Sequence, residues 1–76
     1  MGFIVEQAII QAIDSERIQK REMIADQLDI GVSTFHRHMT RLVERGIVEK
    51  RGNGRRGAYV YIVNREKAIE AGYTLA

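Results

Sequence analysis

The segment 24–46, IADQLDIGVSTFHRHMTRLVERG, constrains the fold of this chain most, because it predicts two short helices joined by a tight corner. In the second half of the segment, Phe35, Met39 and Leu42 recur at spacings that place them on one face of a helix. The opposite face carries hydrogen-bond donors, two of them permanently cationic: Ser33, His36, Arg37, Thr40 and Arg41. One face can therefore pack on a core, while the other suits phosphate oxygens and base edges.

The corner between the two predicted helices supports this assignment. Ala25 supplies a small side chain where the helices would cross, and Ile30 supplies an apolar side chain just past the corner. Asp29 stands where such corners usually carry glycine, and aspartate tolerates the left-handed backbone better than most residues. The segment resembles a helix-turn-helix, and residues 18–63 resemble the winged helix-turn-helix of small bacterial, archaeal and phage transcriptional regulators.

We predict a mainly α fold in a single domain, 1–76: a three-helix winged helix-turn-helix with a small antiparallel β wing and a short C-terminal helix. Helices are expected at about 3–14, 20–28 and 32–45, wing strands at about 47–51 and 58–63, and the last helix at about 65–72. An apolar stripe is expected to face inward from the first helix: Ile4, Ala8, Ile9, Ala12 and Ile13. Either Gly31 or Ser33 caps the third helix, and Asn64 caps the last, where Ala68 and Ile69 would face inward.

The predicted wing is a hairpin around the glycine-rich segment 52–57, GNGRRG. The Asn-Gly pair in this segment is a strong signal for a two-residue turn, because both residues accept positive φ. Such a turn places Arg51 opposite Arg56 and Val48 opposite Tyr59. Facing arginines repel each other, so a polyanionic partner would stabilise the tip. The glycine spacing also matches a dinucleotide-binding fingerprint, but that motif opens a helix, and we assign the glycines to turn geometry.

Charge is distributed unevenly along the chain, although the net charge is only +2. Residues 1–30 hold three basic and six acidic side chains, and residues 31–65 hold eight basic and two acidic ones. The net charges of these two segments are therefore −3 and +6. This asymmetry indicates one electropositive face. The plain alternative is a solvated charged face without a partner.

The resemblance implies sequence-specific binding of double-stranded DNA, with the third helix in the major groove, and regulation of transcription as a repressor that occupies an operator. The expected contacts on the recognition helix are Ser33, Thr34, His36, Arg37, Thr40 and Arg41, with Arg37 and His36 reading bases. The expected contacts on the wing are Lys50, Arg51, Asn53, Arg55 and Arg56. The alternatives are an accessory factor in replication or recombination, and a winged helix that binds another protein.

Other classes of function have little support in the sequence. Without cysteine there is neither a disulfide nor a thiolate metal site. His36 and His38 are two residues apart and would point to different sides of a helix, so no metal is expected. With no recognisable nucleophile and base, we expect no enzyme, no cofactor and no small-molecule ligand. We expect a cytoplasmic protein without membrane contact. A homodimer through the first or C-terminal helix is one expectation for Tyr73 and Leu75, and packing on the protein's own wing is the other.

Overall fold

The computed structural model describes residues 2–16, 21–52 and 60–75. Along the chain, its elements are α1 (Gly2–Asp14), α2 (Arg21–Gln27), α3 (Val32–Glu44), β1 (Val48–Arg51), β2 (Val60–Val63) and α4 (Arg65–Glu70). The protein is therefore mostly helical with a two-stranded antiparallel sheet, which confirms the predicted fold class. None of the helices within the described ranges is long and apolar enough to cross a bilayer.

The core lies where α1, α2, α3 and the sheet meet, and it confirms the inward face predicted for α3. Phe35, Met39 and Leu42 are all buried. The other large side chains that are fully buried come from α1, α2 and the start of the hairpin: Ile9, Ile10, Ile24, Ile47 and Val48. Burial of this apolar area is the main favourable term for a domain of this size.

The inward stripe predicted for α1 is wrong at its first residue. Ile4 is 71% exposed, whereas Glu6 is only 3% exposed. Two residues correspond to roughly 200° around a helix, so burying Glu6 turns Ile4 to the opposite side. The buried stripe of α1 runs instead through Glu6, Ile9, Ile10 and Ile13. A polar residue therefore occupies an inward position that the apolar pattern alone did not assign.

The corner between α2 and α3 has the backbone that the sequence predicted. Asp29 adopts a left-handed φ of 54°, and the amide of Ile30 donates to the carbonyl of Ala25 at 3.0 Å. Gly31 is the N-cap of α3 and Ser33 lies in its first turn, so the first of the two capping alternatives is correct. The helix that carries the polar face is thereby fixed at its start relative to α2.

The wing hairpin has a different register from the one predicted. Val48 pairs with Val63 and Arg51 pairs with Val60, so the predicted partners of both residues are wrong. The observed register differs from the predicted one by four residues. A shift by an even number leaves every side chain on the same face of the sheet, so alternation of apolar residues could not separate the two registers. The predicted Asn-Gly turn lies outside the described residues.

The C-terminal segment packs on α1, which corrects the expectation for Tyr73. The Tyr73 ring is buried and stacks on Phe3 with ring centroids 4.6 Å apart. Next to it, Gln7 clamps Thr74 by donating to its carbonyl and accepting from its amide, each at 2.8 Å. In α4, Asn64 caps the helix as predicted and Ala68 is buried, but Ile69 is exposed. Tyr73 therefore lies neither on the wing nor on a free surface.

Candidate nucleic-acid interface

The polar face predicted for α3 is exposed to solvent. Ser33, His36, Arg37, Thr40 and Arg41 are all exposed, and Thr34 is half-buried. This follows from the fold, because the opposite face of the same helix is buried in the core. The Thr40 hydroxyl donates to the carbonyl of His36 at 2.9 Å, so this hydroxyl would meet an incoming group mainly as an acceptor.

The exposed face of α3 stands as a ridge between two clefts. The cleft toward α1 is lined by Ile4 and Val5 and by Arg37 and Arg41 of α3. The cleft toward the hairpin has an apolar floor, and its polar lining comes from His36, Thr40 and Glu44 of α3 and Lys50 of β1. The structure thus brings Lys50, a predicted wing residue, to the same cleft as His36 and Thr40, two predicted recognition residues.

The remaining wing residues are only partly described. Arg51 is exposed, and its guanidinium contacts the exposed carboxylate of Glu49 at 3.2 Å. An ion pair between two exposed groups contributes little to stability, so Arg51 can exchange this carboxylate for another anion. Asn53, Arg55 and Arg56 lie outside the described residues.

A buried polar cluster next to α3 was missed by the sequence reasoning, which assigned no role to Glu6. Glu6 accepts a hydrogen bond from His38 Nδ1 at Oε2 and one from the Tyr73 hydroxyl at Oε1, both at 2.9 Å. Arg41 Nη1 lies 3.9 Å from Oε2 and Arg45 Nη1 lies 3.8 Å from Oε1. A single glutamate among the apolar residues of α1 was the available signal.

The contacts of Glu6 shift two pKa values in opposite directions. Burial alone would raise the pKa of Glu6, but the hydrogen bonds from His38 and Tyr73, together with the charge of Arg41, outweigh it and hold this pKa below its usual value. The pKa of Tyr73 is raised, because its hydroxyl is buried and donates to the Glu6 carboxylate. The cluster is therefore built around an ionised glutamate and a neutral tyrosine.

Positive charge from the basic half of the chain does not all reach the α3 face. Arg65, at the start of α4, donates to the carboxylate of Asp14 at the end of α1, with 2.5 Å between Nη1 and Oδ2. This ion pair connects α4 to α1. The net charge of residues 31–65 therefore overstates the charge available to a partner, because Arg65 is already paired with Asp14.

A helix-turn-helix with an exposed cationic ridge, followed by a two-stranded wing, defines a winged-helix DNA-binding transcription regulator. The penicillinase repressor family matches residues 4–74, and the chain belongs to this family. It is a family of DNA-binding repressors rather than enzymes. Neither a curated protein nor a solved structure matches the chain.

Proposed function

We propose that this protein binds double-stranded DNA in a sequence-specific way and represses transcription by occupying an operator. The observation that carries the proposal is the two-sided character of α3. Its apolar side is buried. Its exposed side carries Ser33, His36, Arg37, Thr40 and Arg41. Because an α-helix fits into the major groove, this exposed side can contact base edges there. Membership in a family of repressors supports the same conclusion.

We assign base reading to Arg37 and His36, because the guanidinium can donate two parallel bonds to guanine and the imidazole is exposed on the same ridge. Arg41 and the three hydroxyl residues of α3 contact bases or adjacent phosphates. Phosphate contacts come from the wing residues: Lys50, Arg51, Asn53, Arg55 and Arg56. Phosphate contacts would supply most of the affinity, and base contacts the specificity.

The proposal includes a homodimer on a palindromic operator. Apolar side chains that remain exposed on α1 and α4 favour these two helices as the interface: Phe3 and Ile69. Two copies would place their α3 helices in successive major grooves, one helical turn of about 34–36 Å apart.

Selection of bound sequences from a random duplex pool tests the proposal. We expect enrichment of a short site with two inverted halves, because a two-fold dimer reads the same sequence on each strand. Enrichment of a single half-site would support the reading helix and refute the dimer. Recovery of an unenriched pool, with binding at low salt only, would refute sequence-specific recognition.

A further inference from the structure

Three side chains converge on a single carboxylate of α1. Two of them belong to α3, and the third belongs to the residue that follows this helix. His38, Arg41 and Arg45 are spaced by three and four residues, so they share one side of the helix. All three reach Glu6, at 2.9, 3.9 and 3.8 Å. This stripe borders the exposed ridge, because Arg41 belongs to both.

The Glu6 carboxylate is itself held in place. Each of its oxygens accepts one hydrogen bond of 2.9 Å from a buried partner, His38 on one side and Tyr73 on the other. Tyr73 is fixed in turn by stacking on Phe3 and by the guanidinium of Arg45, which lies 3.3 Å from its hydroxyl. Fixed dipoles and charges around a buried group limit the positions that it can adopt.

The Arg41 side chain is 61% exposed, more than the side chains of Arg45 at 49% and His38 at 11%. A guanidinium has five N–H donors, so Arg41 can keep one edge toward Glu6 and present the rest to a phosphate or a base. A long side chain loses rotational freedom when it binds, and restraining it beforehand lowers that cost. Glu6 is too buried to touch DNA, but it can limit where the Arg41 guanidinium lies.

We propose that Glu6 is a positioning residue for DNA recognition, and that it acts through Arg41. The carboxylate holds the guanidinium at the α1 edge of the ridge, beside the cleft that Arg37 also lines. This inference rests on the proposed function, since it concerns the affinity of the same face for a specific site. It assigns a role in recognition to a buried acidic residue on a helix that does not enter the groove.

Glu6→Gln tests the proposal, with Glu70→Gln as the matched control, because Glu70 is exposed on α4 and the change in net charge is the same. Dissociation constants are measured by fluorescence anisotropy for a duplex selected from the random pool and for a scrambled duplex. Temperature is set so that circular dichroism shows every variant folded. We expect Glu6→Gln to weaken binding of the selected duplex by about fivefold to tenfold and of the scrambled duplex by less than about twofold. Glu70→Gln should change both by less than about twofold.

A double-mutant cycle with Arg41→Ala separates positioning from a general structural role. Once Arg41 is absent, Glu6→Gln should change the affinity for the selected duplex by less than about twofold, because the two residues act as one unit. An undiminished effect of Glu6→Gln in the Arg41→Ala background would overturn the proposal. So would equal selected-to-scrambled ratios for Glu6→Gln and Glu70→Gln.

A second variant keeps the positioning role testable if the first one is unstable. If Glu6→Gln does not fold, Tyr73→Phe replaces it, because it removes only the hydroxyl that holds Glu6 Oε1. We then expect the affinity for the selected duplex to fall by about twofold to threefold, and no change would overturn the proposal.

Wild-type protein that prefers no duplex would refute the proposed function itself. A normal wild-type preference that Glu6→Gln leaves intact would refute only the positioning role.

Discussion

Replacing Glu6 by alanine should destabilise the protein more than replacing any exposed charged residue by alanine. The substitution removes the shared acceptor of His38 and Tyr73, whose polar groups are buried. Each hydrogen bond to a charged group contributes about 1.5–3 kcal/mol, and removing one member of a buried charged cluster costs about 3–5 kcal/mol. A 76-residue domain has a total stability of roughly 4–11 kcal/mol. Glu6→Ala should therefore remove a large share of it.

The assay is urea unfolding at pH 7 followed by circular dichroism, with Glu70→Ala as the matched control. We expect a loss of about 3–5 kcal/mol for Glu6→Ala and less than about 0.5 kcal/mol for Glu70→Ala. The combined variant E6L/H38L/Y73F should recover much of the loss, because apolar replacement of a whole buried cluster is often neutral or stabilising. A loss below about 1 kcal/mol for Glu6→Ala would refute the reasoning, since the cluster would then be dispensable.

The pKa of Glu6 is lowered and that of Tyr73 is raised, so the stability from this pair should be complete between about pH 5 and 9. This stability should fall as the pH drops below the usual pKa range of glutamate, and also as the pH rises past the usual pKa of tyrosine. Urea titrations at a series of pH values should show that the free energy of unfolding of Glu6→Gln depends less on pH, at both the acidic and the basic end, than that of the wild-type protein. Arg37→Ala should lose about 1–3 kcal/mol of binding to the selected duplex and accept more sequences in a repeated selection; unchanged specificity would contradict its base-reading role. Asp29→Gly should stabilise the fold by about 0.5–1 kcal/mol, because glycine adopts a φ of 54° without steric cost. Asp26→Gly, inside α2, should instead cost roughly 0.3 kcal/mol, because glycine is a slightly poorer helix former than aspartate, and thermal melts of the two variants compare the signs.

Local patterns in the sequence predicted the parts of the fold that depend on neighbouring residues. The inward face of α3 follows from the spacing of Phe35, Met39 and Leu42, which are all buried. The left-handed corner at Asp29 follows from the backbone preference of aspartate. Each of these features is decided within one or two helical turns.

Features that depend on distant residues could not be predicted in this way. The partners of Glu6 lie 32 and 67 residues away, so no local period reports that the carboxylate is buried and paired. Tyr73 was misplaced for the same reason, because its packing on Phe3 joins the two ends of the described chain. The prediction of the hairpin register was wrong for a different reason. Turn chemistry favoured a two-residue connection, and the pattern of apolar residues fits that register and the observed one equally well.

The buried cluster of Glu6, His38 and Tyr73 also has an evolutionary consequence. A substitution that removes the carboxylate leaves a tyrosine hydroxyl and an imidazole without their acceptor, so single changes at these positions are costly. Relatives that carry an apolar side chain at the position of Glu6 should therefore also have lost the polar groups at the other two positions. In an alignment of the family, these three positions should therefore covary, although they are far apart in the chain.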